Sequence, residues 1–175
     1  MSRFTRVVRV ETPEQRAAMT AIRMAVFVVE QQVAAEREMD ALDDDPTTVH
    51  VLALADDGTA LGTARLLAPH HDGEPAHIGR VAVSAAARGL GVGAHLMTAL
   101  EAVALEQFGT SVDGVRSVAV ELSAQEQALG FYARLGYVAR PERYLDEDIW
   151  HRDAVKIVTS PDTGPGALRS VGAGT

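Results

Sequence analysis

Residues 88–94 read Arg-Gly-Leu-Gly-Val-Gly-Ala, with glycines at 89, 91 and 93 between the apolar run Val81-Ala82-Val83 and a stretch of helical periodicity. Alternate glycines let the backbone come close to a ligand and turn several N–H groups the same way. A helix that starts there adds free N–H donors and the positive end of its dipole. The combination predicts a cradle for a phosphate or pyrophosphate, while a plain tight turn would use the glycines for geometry alone. A P-loop is excluded because no Gly-Lys-Ser/Thr follows. The pattern G-x-G-x-x-A is met. The Ser-Ala-Ala-Ala-Arg lead and the three antiparallel-looking strands before it do not suit the first turn of a dinucleotide-binding unit.

Around this loop the chain divides into short alternating elements. Residues 4–10 suit a strand, and Thr12-Pro13 supplies an N-cap and a first-turn proline for a helix reaching about residue 32. Within that helix, residues 26–29 (Val-Phe-Val-Val) would suit a strand equally well. Residues 36–45 read as a loop. Apolar runs at 50–55 and 61–67 flank Asp57-Gly58, a hairpin signal, and a third run covers 77–83. Residues 94–108 are amphipathic with helical spacing, 109–114 form a loop, and 116–122 suit a strand. A helix over 125–135 ends at Gly136, and strands follow at 137–140 and 149–158. The predicted order is β-α-β-β-β-α-β-α-β-β in a single domain over residues 1–158. Residues 159–175, rich in Gly, Pro and Ser, read as a flexible tail.

The 175 residues carry 24 acids and 16 bases, a formal charge of -8, which is unevenly placed. Residues 36–45 sum to -5 and residues 142–148 to -3, and the rest balances. The sequence pI near 5.2 argues against a nucleic-acid partner. No apolar run approaches the ~18 residues of a membrane span, and the N-terminus has no signal-peptide core, so a cytoplasmic, membrane-free protein is expected. With no cysteine, thiol catalysis, disulfides and Cys-based metal sites are excluded. His70 and His71 have no third ligand at a useful spacing, so no metal is predicted.

Two motifs in order resemble the GNAT superfamily of N-acetyltransferases. Arg88-x-x-Gly91-x-Gly93, preceded by Val81-Ala82-Val83, is similar to its Arg/Gln-x-x-Gly-x-Gly/Ala motif. Some 40 residues on, Tyr132-x-x-x-Gly136-Tyr137 resembles its Tyr-x-x-x-Gly-Phe/Tyr element. The family's Asn seven residues before that Tyr is Gln125 here. A narrower resemblance is to the ElaA-like bacterial branch. It is carried by Arg23-x-x-Val26-Phe27-Val28-Val29-Glu30-Gln31, the acidic stretch 40–46 before His50, and Gly62-Thr63-Ala64-Arg65-Leu66. Ile78-Gly79-Arg80-Val81 and Leu122-Ser123-Ala124-Gln125 fit as well. The resemblance implies an α/β GNAT fold (α+β in some schemes). Its central sheet would be mixed and mostly antiparallel, of six to seven strands, with about four helices around it.

It also implies acetyl-CoA as cofactor and an amine, small-molecule or protein, as acceptor, attacked directly in a ternary complex. The implied cofactor contacts are Val81, Ala82 and Val83, then Arg88, Gly89, Leu90, Gly91, Val92, Gly93 and Ala94, and finally Gln125, Phe131 and Tyr132. Tyr132 is the implied general acid; a packing role with a hydrogen-bonded hydroxyl is the other reading. His77 stands eleven residues before Arg88, where some members place a catalytic Glu. On an extended strand it would share a face with Gly79, Val81 and Val83. A pKa near ~6.5 suits a base, with Glu121, Glu30 and His151 as rivals.

Phe27, Glu30, Asp43, Asp44, Asp45 and His151 are candidates for the acceptor side, where two acidic connections would favour a cationic amine; acidic solvated loops are the plain reading. Arg23 and Arg65 are expected to form structural ion pairs with Glu30 or the 40–45 carboxylates. Two other functions fit the same residues. One is a non-catalytic acyl-CoA sensor or partner module. The other is an acyl-homoserine-lactone synthase, for which Glu38-x-Asp40-x-x-Asp43 has the right spacing but the glycine loop is foreign. A homodimer is a further expectation from the family.

Overall fold

The computed structural model describes residues 4–162. Nine strands form one sheet: β1 (Phe4–Arg9), β2 (Val49–Ala55), β3 (Ala60–Leu67), β4 (Ala76–Val83), β5 (Thr110–Val112), β6 (Val115–Gln125), β7 (Val138–Ala139), β8 (Tyr144–Asp146) and β9 (Ile149–Pro161). The main path is β1-β2-β3-β4-β6-β9-β7, with β5 added beside β6 and β8 beside β9. Every pairing is antiparallel except β4 with β6. This is the expected mixed, mostly antiparallel sheet, with seven strands on its path and two short ones beside it.

Thr12 caps helix α1 (Pro13–Arg23). Its hydroxyl accepts from Gln15 N at 3.2 Å, and Gln15 Oε1 accepts in return from Thr12 N at 3.0 Å. The helix continues into a π-helical segment, Met24–Glu30, closed by Gln31 N donating to Val26 O at 3.1 Å. The valine-rich stretch that also suited a strand is therefore helical. Its wider turn belongs to a class found often at functional sites. The acidic stretch predicted as loop holds a short helix, α2 (Ala35–Glu38), and a 3-10 turn, Ala41–Asp44.

Helix α3 (Val92–Phe108) covers one face of the sheet, burying Leu96, Met97 and Leu100 against Ala64, Leu66, Ile78, Val120 and Leu122. Each such side chain contributes roughly 1.5–3 kcal/mol by leaving water. Helix α4 (Leu129–Arg134) adds Leu129, Phe131 and Tyr132 to the same layer. On the other face, α1 and the π segment bring Met19, Ile22 and Val26 onto Leu52 and Ala82.

The chain-end prediction shifts slightly. Thr159, Ser160 and Pro161 continue β9 opposite Ser117, Arg116 and Val115, so the folded part passes residue 158. The remainder of the expected tail, 163–175, lies outside the described residues. Among the described residues no helix is long and apolar enough to cross a membrane.

Candidate active site

Strands β4 and β6 pair at two positions only, Ala76 with Val120 and His77 with Glu121, and then part. The parting opens a cleft of about 770 Å³. A bulge in β4 accompanies it: Arg80 has φ +53, and the β3–β4 register slips between Thr63/Ala82 and Arg65/Gly79. One extra residue reverses the side-chain alternation beyond it. His77 and Gly79 therefore share a face with Ala82, opposite Thr63 on β3, whereas Val81 and Val83 pack towards α3. This corrects the expectation that His77, Val81 and Val83 lie on one face, which assumed an unbroken strand.

Beyond the bulge the ladder to β3 is regular, with Ser84 N donating to Leu61 O at 2.9 Å. By antiparallel alternation the backbone N–H and C=O of Val83 point away from β3 into the split. Val83 O duly accepts from Arg88 Nε at 3.2 Å. The glycine loop stands at the mouth of this split. Gly91, at φ +77, is the N-cap of α3, and no side chain caps the helix. The first return bond is His95 N to Gly91 O at 3.2 Å, which leaves the N–H groups of Val92, Gly93 and Ala94 for a ligand. A Cβ on Gly93 would meet Phe131 Cζ at 3.1 Å, so α4 and the helix N-terminus pack closely there only because residue 93 has no side chain.

Tyr132 lines the cleft and packs edge-on against Phe131 and Tyr137, with ring centroids 5.0 and 6.0 Å away. Its hydroxyl has no hydrogen-bond partner among the described residues, and burial pushes its pKa up to about 12. The hydroxyl therefore holds its proton at neutral pH. His77 also lines the cleft. Burial lowers its pKa, with Glu121 and then Asp153 opposing, so the ring is neutral at pH 7. Glu121 sits beside His77 in the ladder, but its carboxylate is held by Arg140 at 3.0 Å.

Phe27, Glu30, Gln125 and His151 all line the cleft. Glu30 is paired with Arg88 at 2.6 Å, joining the π segment to the glycine loop. Gln125 donates to Gln31 Oε1 at 2.7 Å. The ring of His151 stacks on Tyr144, with Nδ1 directed at Ile149 O, 2.8 Å away.

The acidic stretch 36–45 is placed differently from its expectation. Asp43, Asp44 and Asp45 do not line the cleft. Asp43 is buried, 2.7 Å from Arg23 and 2.9 Å from Arg65. Glu38 lies 2.6 Å from Arg23, and Asp40 lies 2.8 Å from Arg65 and 3.4 Å from Arg80. Three carboxylates face three guanidinium groups, so the local negative charge is neutralised inside the fold. Burial alone would push Asp43 up, but Arg23, the Asp40 N–H and Arg65 hold it well below the usual carboxylate range. Asp44 pairs with Arg16 at the surface, and Asp45 accepts from Thr47. Both acidic stretches touch the cleft, the first through Arg37 and the ion-paired Glu38, the second through Asp146 and Glu147.

Residues 16–137 match the model of the Acetyltransferase (GNAT) family. The chain belongs to this family. It is similar to protein ElaA of Escherichia coli (strain K12), 34% identical over 137 residues that cover 78% of this chain and 84% of the relative. The crystal structure of Escherichia coli ElaA superposes with a TM-score of 0.72 at 29% identity, covering 89% of this chain and 99% of that one. An acyl-CoA N-acyltransferase from Pseudomonas aeruginosa gives 0.70 at 36% identity, covering 89% and 99%. The GNAT chain is thus an acyltransferase of the ElaA-like branch.

GNAT enzymes take their acyl group from acyl-CoA, and the residues present fit that donor. The uncapped α3 N-terminus, the side-chain-free Gly93 and the open edge of β4 offer backbone donors to a pyrophosphate and an amide-bearing arm. Sequence reasoning missed several cleft residues, among them Arg37, Arg80 and Ser123, whereas Glu147 falls in the acidic connection 142–148 expected at the acceptor side. Their signal was weak because each comes from a segment distant in the chain. Arg37 and Glu147, 110 positions apart, pair at 2.6 Å.

Proposed function

We propose that the chain is an acetyl-CoA-dependent N-acetyltransferase in which an amine attacks directly within a ternary complex. The parting of β4 from β6 carries this reading, with an uncapped helix N-terminus at its mouth and two proton-handling side chains, His77 and Tyr132, on its lining. Acetyl-CoA, when bound, supplies an activated thioester carbonyl. The N–H groups of Val92, Gly93 and Ala94 would hold the pyrophosphate, and the backbone of Val81 and Val83 the pantetheine arm. An inward N–H of β4 is aimed where negative charge develops on oxygen. His77, kept neutral by burial, takes the proton from the amine nitrogen. Tyr132 holds its proton at Oη and gives it to the leaving side.

The test is acetyl-CoA consumption, followed by thiol release, across a panel of primary amines, with each acetylated product confirmed by mass. Turnover with at least one amine, falling about 100-fold in Tyr132→Phe, supports the reading. Tight CoA binding without turnover on any amine would sink it.

A further inference from the structure

The lip of the cleft opposite His77 holds a chain of hydrogen bonds with no part in the proposal above. Ser123 lies on β6 two residues past Glu121, on the cleft-facing side of the point where the strands separate. It stands opposite Asp153 on β9, and Tyr144 stands opposite His151, so all four share one face. Tyr144 Oη donates to Asp153 Oδ1 at 2.7 Å and is also hydrogen-bonded to Ser123 Oγ. Asp153 has no cation within 4.0 Å among the described residues.

The direction of these bonds follows from what each group can do. A carboxylate only accepts. Tyr144, whose pKa is pushed up to about 12, first by burial, keeps its proton and directs it at Asp153. Its oxygen then accepts from the Ser123 hydroxyl. Ser123 Oγ, its one proton committed, has only lone pairs to show to the cleft. It is built to receive an N–H and to refuse a carbonyl or carboxylate.

The surrounding charge points the same way. The four arginines lining the cleft are each opposed by a carboxylate: Arg37 by Glu147, Arg65 by Asp40 and Asp43, Arg80 by Glu38, and Arg88 by Glu30. Asp146 lines the cleft with no ion pair among the described residues. The carboxylates left over at this end are Asp146 in the lining and Asp153 behind Tyr144.

We infer that Ser123, polarised through Tyr144 by Asp153, is the station that receives the acceptor as a primary ammonium, across the split from His77. Ser123 is the contact residue; Tyr144 and Asp153 are positioning residues that fix which way its hydroxyl points. The inference rests on the acetyl-transfer reading for its place in a reaction, and names the acceptor class as a cationic primary amine. The negative charge that selects it comes from β8 and β9, through Asp146 and Asp153, not from residues 40–45.

Binding and turnover are measured separately. Calorimetry at pH 7 compares hexylamine, hexan-1-ol and hexanoate on the protein alone and with coenzyme A. Wild-type protein is expected to bind the amine in preference to the other two. Ser123→Ala and Tyr144→Phe are expected to weaken the amine about 10- to 100-fold with an unchanged melting temperature. Asp153→Asn is the sharper variant. An amide can donate to Tyr144, reversing the chain so that Ser123 offers its proton; relative to wild type, amine binding falls and hexanoate binding rises.

Equal amine binding in all three variants, a preference for hexanoate, or no amine binding by the wild type overturns the inference. Amine binding that depends on Ser123 without any acetyl transfer upholds it and removes the acetyl-transfer reading instead. Acetyl transfer insensitive to all three variants does the reverse.

Discussion

Replacing Asp43 by Asn separates two accounts of the acidic stretch. Asp43 is 3% exposed and lies between Arg23, 1% exposed, and Arg65, 5% exposed. It accepts from Arg23 Nη1 at 2.7 Å, from Arg65 Nη1 at 2.9 Å and from the Asp40 N–H at 3.0 Å. Asn keeps the shape but removes the charge opposing two buried cations, and turns an acceptor atom into a donor against them. Removing one partner from a buried pair costs about 3–5 kcal/mol. For a chain of this size each 1 kcal/mol moves the melting temperature by about 2–4 °C, so a loss of roughly 6–20 °C at pH 7 is expected. Asp44→Asn removes only an exposed carboxylate facing Arg16 and serves as the control.

The assay is thermal unfolding followed by circular dichroism, repeated down the pH scale. Asp43 has a folded pKa below its unfolded value, so its contribution is complete above an unfolded pKa of ~3.9 and is lost as pH falls through the folded one. The gap between wild type and Asp43→Asn should therefore begin to narrow below about pH 5 and keep narrowing well below pH 3, towards the depressed folded pKa. If Asp43→Asn melts with Asp44→Asn while the acceptor KM rises, the carboxylate serves the substrate and the packing argument is wrong.

Four further outcomes follow from the cleft. Tyr132→Phe should lower kcat about 100-fold with little change in either KM. In the wild type, deprotonation of Tyr132 should impose no alkaline fall in kcat below about pH 11, one unit under its pKa. His77→Gln should flatten the acidic limb of kcat/KM, which in the wild type lies below the ordinary histidine value of 6.5 because burial favours the neutral ring. Gly91→Ala places a Cβ at φ +77, costs about 1–2 kcal/mol of stability, and should raise the KM for acetyl-CoA about 10-fold. Unfolding and initial-rate kinetics on the same preparation separate its two effects.

The glycine loop, the Thr12 cap and the Asp57-Gly58 hairpin were legible in the sequence because each acts within a few residues, through backbone geometry or one local hydrogen bond. The order of elements followed from hydrophobic periodicity, and the family from two motifs in register with it. Asp43 shows what lay beyond such reasoning. Composition says that residues 36–45 are acidic, but whether those charges face solvent depends on Arg23, Arg65 and Arg80, brought in from a helix and two strands. The face that His77 presents was hidden for a related reason. One bulged residue at Arg80 reverses the alternation, and no rule of period two can see it.

By itself, then, the sequence determined the main elements, the glycine loop and the enzyme family, but not the short β5, β8 and α2, since the former rest on local backbone preferences and on contiguous motifs. Only the tertiary structure decided which charges are neutralised and which remain at the cleft, because ion pairing depends on separations of a few ångströms between segments as many as 110 residues apart.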